Sequence, residues 1–461
     1  MNLTEYRQMI EARAVKAPER GLKKIPDLCP GMFPHQRDCC EFLLGVGSGA
    51  AFLDTGLGKS LLSLEWGRVL AQHTNKPVLM FAPLAVGPQH VKEANRFDIT
   101  AQQVRHGNEL KSGINITNYE MLKHFKPEDI GAIVLDESSI IKSFTGQTTR
   151  ALMQFAKDIP FRLACTATPA PNDHMELGQH AQFLGVMESS EMLMRWFIAD
   201  QSEMGKYRIK KSGRKSFWEW MATWARCVSR PSDLGYPDDL FTLPNLRIRP
   251  HRISVDITHN SGDLLFRMPD MSATSLHEEK RITAPARAER IAELVAAESS
   301  EPWIIWCDTD YEAKELMARI PEAIEVRGSM SPEEKEAKLV AFTEGRERVL
   351  VTKPRIAGFG LNWQHCARVA FVGLSFSYEQ FYQAVRRCYR FGQQREVHCH
   401  IAMAETEDAI WDTNQKKKLD HDMMKNEMAA AMRRAQTPLH DNHRKAQYKP
   451  MVLPSWMRKA I

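Results

Sequence analysis

Two series of short apolar runs, separated by a long irregular stretch, constrain the fold of this 461-residue chain more than any other feature. The first series is "AAFL" (50–53), "PVLMFAP" (77–83), "INIT" (114–117), "AIVLDE" (132–137) and "RLACTAT" (162–168). The second is "WIIWC" (303–307), "IEVRG" (324–328), "RVLVT" (348–352), "RVAFVG" (368–373) and "VHCHIAM" (397–403). A strand that is apolar on both faces needs cover on both faces, and the helix-like segments between the runs supply it, which is the pattern of a parallel sheet. The expectation is an α/β protein with two tandem parallel-sheet domains, in keeping with a length too great for one ordinary core.

One crossover helix can be read from its ends. In "SMSPEEKEAKLVAFTEGRE", Ser331 is a good N-cap, Pro332 fits the first helical position, Glu334 completes a capping box and Gly345 ends the helix. The expected divisions are a helical N-terminal segment (1–30), a first lobe (31–186), a helical insertion and linker (187–250), a second lobe (251–412) and a basic tail (413–461), helical and then frayed. The insertion combines the acid-free run "KYRIKKSGRK" (206–215) with the tryptophan-rich "FWEWMATWAR" (217–226).

Composition excludes several classes. A hydrophobic content of 43% with 26% charged residues is that of a soluble globular protein. Nine cysteines without a CxxC pair form neither a disulfide framework nor a zinc site. "HCH" (398–400) lies in an alternating run that points its histidines away from its cysteine, against a metal cluster. The N-terminus lacks the apolar core of a signal peptide, and "FLLGVGSGAAFL" (42–53) is too short and glycine-broken to span a bilayer. An intracellular protein with no membrane partner is expected. The net charge of +5, concentrated in the 206–215 run and the tail, makes a polyanion partner plausible.

Three motifs carry chemistry. "FLDTGLGKS" (52–60) has the order of a phosphate cradle: buried strand, glycine turn, helix. Thr55, Gly56, Leu57 and Gly58 would offer backbone N–H groups, Lys59 would bridge β and γ oxygens, and Ser60 would coordinate magnesium. A glycine turn that merely closes a strand is the plainer reading of the same residues. "IVLDESS" puts Asp136 and Glu137 at the C-terminal end of a strand, where ligands bind in open α/β sheets; Asp136 suits the magnesium ion and Glu137 the attacking water. "QAVRRCYRFGQ" places Gln383, Arg387 and Arg390 on one helical face, and arginines brought by a second lobe stabilise phosphoryl transfer by roughly 10³ to 10⁵ in rate.

The order of these motifs resembles the superfamily 2 helicases and, within them, the Swi/Snf-type double-stranded DNA translocases and their compact phage and bacterial relatives. "FPHQRDCCEFLL" resembles the glutamine motif, which implies Gln36 near an adenine. "DTGLGKS" resembles that family's phosphate loop, which itself lacks the first glycine. "VLMFAPLAVGPQHVKEANRF" and "ITNYEML" resemble strand-tracking motifs, "LDESS" the DEAD/DEAH-type box, and "CTATPAPND" a coupling motif that implies Thr166 and Thr168 between the lobes.

In the second half "RGSMSPEEKEAKLVAF" and "KPRIAGFGLNW" resemble nucleic-acid and coupling motifs, with Gly358, Gly360 and Asn362 matching, and Gly360 falls to the nucleotide site. "YQAVRRCYRFGQ" resembles the final arginine motif, with Arg387 and Arg390 on the γ-phosphate. The resemblance implies two RecA-like lobes with ATP and Mg2+ between them, moving on DNA, duplex favoured and RNA possible, in a bacterial or phage-infected cytoplasm. DNA phosphates would meet Thr117, Asn118, Gly328 and Ser329, with Lys210, Lys211 and Arg214 of the basic run.

The sequence departs from the family in two places. The box reads DESS, with Ser139 where a histidine usually couples the acids to the other lobe. "GLSFSYEQ" replaces the Asp-Trp-Asn-Pro stretch of the chromatin remodellers, and no chromatin-reading appendage fits. Phe217, Trp218, Trp220 and Trp224 would either flank the phosphate contacts or pack an inserted hairpin on the first lobe. Two rival functions share the motifs: a single-strand or RNA unwinding helicase, and an ATP-switched nucleic-acid clamp without processive motion.

Overall fold

The computed structural model describes residues 17–18, 20–83, 86–199, 206–254, 273–357 and 362–436. The first lobe begins with helix α1 (Pro34–Val46), strand β1 (Ser48–Leu53) and helix α2 (Lys59–Thr74). It continues with β2 (Val78–Phe81), α3 (Gly87–Arg96), β3 (Ala101–Gln103), β4 (Ile114–Thr117), β5 (Ala132–Asp136) and β6 (Phe161–Cys165). Each of β1, β2, β4, β5 and β6 is buried along its whole length, as two-faced apolar runs require.

The stretch 187–250 is not set apart from the lobes. It holds an antiparallel hairpin, β7 (Phe197–Ala199) and β8 (Tyr207–Ile209), then α4 (Arg214–Met221) and β9 (Ala225–Val228). β9 pairs in parallel with β1, and the first sheet runs β3-β4-β2-β5-β6-β1-β9. The aromatic residues read as a possible nucleic-acid surface are core instead: Phe217, Trp218, Trp220 and Trp224 are at most 2% exposed. Trp220 stacks on Trp196 with ring centroids 4.7 Å apart.

The second lobe opens with β10 (Leu246–Ile253), a strand that straddles the expected boundary between linker and lobe at 250. Helix α5 (Ala273–Ala297), β11 (Trp303–Trp306), β12 (Ile324–Val326), α6 (Pro332–Thr343), β13 (Val349–Thr352), β14 (Arg368–Val372), α7 (Tyr378–Val385) and β15 (Val397–Ala404) follow. Its sheet is again parallel, in the order β10-β15-β14-β11-β13-β12, so the chain has two parallel α/β sheets consistent with two RecA-like domains. The start of α6 has the capping read from sequence, with Ser331 Oγ accepting from the Glu334 N–H at 3.2 Å.

The two ends compare differently with expectation: the N-terminal segment is not helical over its described residues, whereas the tail is helical through Gln436 as expected and its frayed part, 437–461, lies outside the described residues. Residues 20–33 form no helix; the Arg20 and Leu22 N–H groups bond the carbonyls of Val46 and Leu44 in the last turn of α1. Residues 1–16 lie outside the described residues. The C-terminal stretch is a 29-residue helix, α8 (Asp408–Gln436), that starts on the second lobe and finishes in the first. Asn414 donates to the Ser375 carbonyl at 2.8 Å, whereas Met424, Met428 and Met432 are buried in the core of the first lobe. Among the described residues no helix is long and apolar enough to cross a membrane.

Candidate active site

Strands β5, β6 and β1 are neighbours, so their C-terminal ends bring three loops side by side: Asp136–Glu137, Thr166–Thr168 and Asp54–Ser60. In the last of these, Gly56 (φ 95°) and Gly58 (φ 80°) have backbone angles that favour glycine. A Cβ on Gly58 would lie 2.0 Å from Gln36 Nε2, and one on Gly56 would lie 2.8 Å from the Phe391 nitrogen of the second lobe. The turn delivers Lys59 and Ser60 to the N-terminus of α2, where orphan N–H groups favour an anion. Lys59 Nζ donates to the Leu53 carbonyl at 2.9 Å, folded across the loop. Burial draws its proton affinity down, against the pull of Glu137, Asp136 and Asp54.

Gln36 braces this loop. Its Oε1 accepts from the Phe33 N–H at 3.0 Å and its Nε2 donates to the Leu57 carbonyl at 3.1 Å. Thr55 lies at the partly enclosed mouth of the turn and Leu57 is buried beneath it. Phe33, Phe241 and Phe391 gather beside Gln36, with Phe241 and Phe391 centroids 4.8 Å apart, so that the linker and both lobes contribute to one aromatic cluster.

Asp136 Oδ2 lies 2.9 Å from His90 Nε2 of α3, and the Tyr119 hydroxyl donates to the Asp136 carbonyl at 2.5 Å. Burial would raise the Asp136 carboxyl, but His90 and then Lys59 outweigh it and hold the group below its ordinary range. Glu137 adopts φ 55°, a left-handed conformation that costs a non-glycine residue about 1–2 kcal/mol and turns its carboxyl toward the second lobe. Thr166 Oγ1 and Gln383 Nε2 each lie 3.5 Å from Glu137 Oε2. Burial, reinforced by Asp136, pushes the Glu137 carboxyl up to about 7 against the pull of Lys59 and Arg387.

From the second lobe, α7 and the turn after it supply the remaining groups. Arg387 Nη2 donates to Gln383 Oε1 at 3.0 Å, and burial followed by the charge of Arg390 lowers the guanidinium to about 10. Arg390 is within electrostatic reach of Glu93 on α3, whose carboxyl is raised by burial against the pull of His90, Ser60 and Arg390. Asn362 is exposed, and the next residue, Trp363, donates its N–H to the Arg387 carbonyl at 2.9 Å. Gly358 and Gly360 lie outside the described residues.

The two coupling threonines part company. Thr166 Oγ1 accepts from the Thr168 N–H at 3.1 Å and faces Glu137, while Thr168 Oγ1 reaches Glu379 Oε1 of α7 at 3.4 Å. Glu379 also accepts from Lys142. With Ser139 in place of a histidine, Glu379 is the acid through which two loops of the first lobe meet α7. The sequence reading missed it, although it stands one helical turn before Gln383. His90 and Glu93 were missed as well, being invisible until α3 brings His90 to Asp136 at the end of β5.

The donor set fits a nucleotide with magnesium. Ser60 and Asp136 are the hydroxyl and carboxylate that a magnesium ion shared with phosphates takes from protein. Among the described residues no group of three acidic, histidine or cysteine side chains is placed to hold a metal, so the phosphates would complete the shell.

The proposed DNA contacts are dispersed. Thr117 is buried, and Asn118 caps the following turn by accepting from the Glu120 N–H at 3.1 Å. Gly328 and Ser329 are exposed after β12. Lys210 is engaged structurally, donating to the Met194 and Arg195 carbonyls at 2.8 and 3.0 Å, and Arg214 pairs with Glu427 of α8 at 3.2 Å. Lys211 is exposed.

Residues 286–392 match the family model of the helicase conserved C-terminal domain. This span lies within the second lobe and holds Gln383, Arg387 and Arg390, so the second lobe is similar to the C-terminal domain of helicases. No curated protein matches the chain.

Proposed function

We propose that the chain is an ATP-dependent DNA motor that tracks duplex, with hydrolysis in the cleft between its lobes. The observation that carries this reading is the meeting at Glu137: Lys59 and Asp136 approach from the first lobe, and Gln383 stands 3.5 Å away from the second. A phosphate loop alone would only bind; a carboxyl near neutrality faced by an arginine-bearing turn also provides for hydrolysis.

Lys59 and the backbone N–H groups from Gly56 to Ser60 hold the phosphates. Magnesium, held by Ser60 and Asp136, would neutralise charge on the β and γ phosphates. The Asp136 carboxylate is positioned for this role by His90, whose Nε2 lies 2.9 Å from its Oδ2. Glu137 takes the proton of the attacking water, Gln383 and Thr166 fix its orientation, and Arg387 and Arg390 offset charge in the transition state. Because those arginines come from the other lobe, hydrolysis is tied to closure, and repeated closing and opening advances the protein along DNA.

The test is steady-state ATP hydrolysis without nucleic acid and with single-stranded DNA, duplex DNA or RNA, using Lys59→Ala as the blank. Stimulation by duplex that disappears in the variant supports the motor. Stimulation only by single strands or RNA transfers the chain to the unwinding helicases, and equal slow rates throughout identify a clamp.

A further inference from the structure

Asp54, the last residue before the phosphate loop, makes an arrangement that the catalytic groups do not use. It is 7% exposed, and its carboxylate accepts from the Tyr382 hydroxyl at 2.9 Å, accepts from Lys425 of α8, and lies 3.6 Å from Arg386 Nη2. These partners come from two different bodies. Lys425 lies between Met424 and Met428, both buried in the core of the first lobe, so it stays with Asp54 if the cleft opens. Tyr382 and Arg386 belong to α7 and its turn, and leave with the second lobe.

On that element the spacing is regular. Tyr382 and Arg386 are four apart, and each is followed directly by a member of the catalytic pair, Gln383 and Arg387. Two adjacent stripes of one helix therefore face the two ends of the phosphate site, one Asp54 and the other Glu137. Lys425 keeps the acceptor ionised: burial would raise the Asp54 carboxyl, but Lys425 and Arg386 hold it at about 2.

We propose that Asp54 is a dock for α7: by receiving Tyr382 and Arg386 at the neck of the phosphate loop, it sets the register in which Arg387 and Arg390 reach the nucleotide. Asp54, Tyr382 and Arg386 are then positioning residues. This rests on the hydrolytic reading of the cleft.

The experiment compares Tyr382→Phe, Arg386→Met and their double variant with wild type and with Arg387→Met. Three readouts are taken: kcat and KM for ATP with duplex present, affinity for ADP against ADP with aluminium fluoride, and amide hydrogen exchange over 378–390. The dock predicts that the double variant loses at least tenfold in kcat and in affinity for the fluoride complex. ADP affinity and Tm should stay near wild type, and exchange over 378–390 should rise. Unchanged exchange overturns the dock whether or not ATP is hydrolysed. Raised exchange with unchanged kcat also overturns it, since the contact would then be structural only. If wild type itself fails to hydrolyse ATP, the motor reading falls, and the dock is judged by exchange alone. Asp54→Asn, which keeps shape and removes charge, should reproduce the double variant's losses in kcat and fluoride-complex affinity, with a lower Tm because Lys425 loses its counter-charge; full activity in it refutes the charged acceptor.

Discussion

Glu137 carries a carboxyl at about 7, where an exposed glutamate titrates near 4.5, because the cleft withholds water from it and Asp136 stands alongside. If it is the base, kcat/KM for ATP follows its ionised fraction in the free enzyme. That fraction is roughly 9% at pH 6 and about 91% at pH 8 for a group at 7, so kcat/KM should rise about tenfold over this interval. An unperturbed glutamate would already be almost wholly ionised at pH 6, and the profile would be flat. The assay is initial-rate hydrolysis between pH 5.5 and 8.5 with saturating duplex and excess magnesium. Glu137→Gln should lower turnover by roughly 10² to 10⁴ while nucleotide affinity stays within a few-fold. Its stability has a definite sign. A carboxyl raised on folding favours the native state below its ordinary pKa, and that advantage is lost as pH rises from 4.5 through about 7. Above that window the neutral amide should match or exceed wild type in Tm. A flat profile between pH 6 and 8, or a glutamine variant with rates within about threefold of wild type, would refute the assignment.

Three further outcomes follow from other parts of the molecule. Trp220→Ala, in the core beside Trp196, should destabilise the first lobe by about 3–5 kcal/mol in denaturant melts and leave duplex affinity of the folded protein unchanged; lost affinity without lost stability would return the tryptophans to the nucleic acid. Arg287→Met should destabilise the second lobe by about 3–5 kcal/mol, since Arg287 bonds Glu312 Oε1 and the Val372 carbonyl at 2.8 Å each in a fully buried pair; a calorimetric transition within a degree of wild type would contradict this. Glu379→Gln should keep ATP affinity and lower the nucleic-acid-stimulated rate at least tenfold, because it weakens the link from Lys142 and Thr168 to α7; a normal rate would show that the lobes couple elsewhere.

What was legible in the sequence was local. The central strands announce themselves because burial on both faces leaves only apolar residues, and Ser331 with Glu334 sets the start of α6 within one turn. Edge strands gave a weaker signal. β10 reads "LRIRPHRI", half polar because it pairs only with β15, and β9 carries Arg226, which hides its charge over the Phe42 ring. The basic run misled for a related reason: Lys210 is charged, yet its ammonium closes the carbonyl end of the helix Ser189–Trp196. The residues proposed as catalytic could be named because each sits in a short motif. Their partners could not, since Asp54 and Lys425 are 371 positions apart and meet only when α8 returns to the first lobe.

These long-range partners converge on one element. α7 and its turn meet the first lobe through Glu379 to Thr168 and Lys142, through Gln383 to Glu137, and through Tyr382 and Arg386 to Asp54. A rigid helix cannot leave one of these partners and keep the others, so the contacts break and form together. Net contributions of about 0.5–1.5 kcal/mol for each hydrogen bond give the closed state a few kcal/mol in all. Moving a two-state equilibrium from 1:99 to 99:1 takes about 5.5 kcal/mol, so the contacts bring closure within range without fixing it. On the proposed reading, phosphates held by Lys59 on one side and the arginines on the other would supply the difference only when γ is present. Their loss after hydrolysis would return the balance to the open cleft, which is the condition for the proposed cycle rather than a permanent clamp.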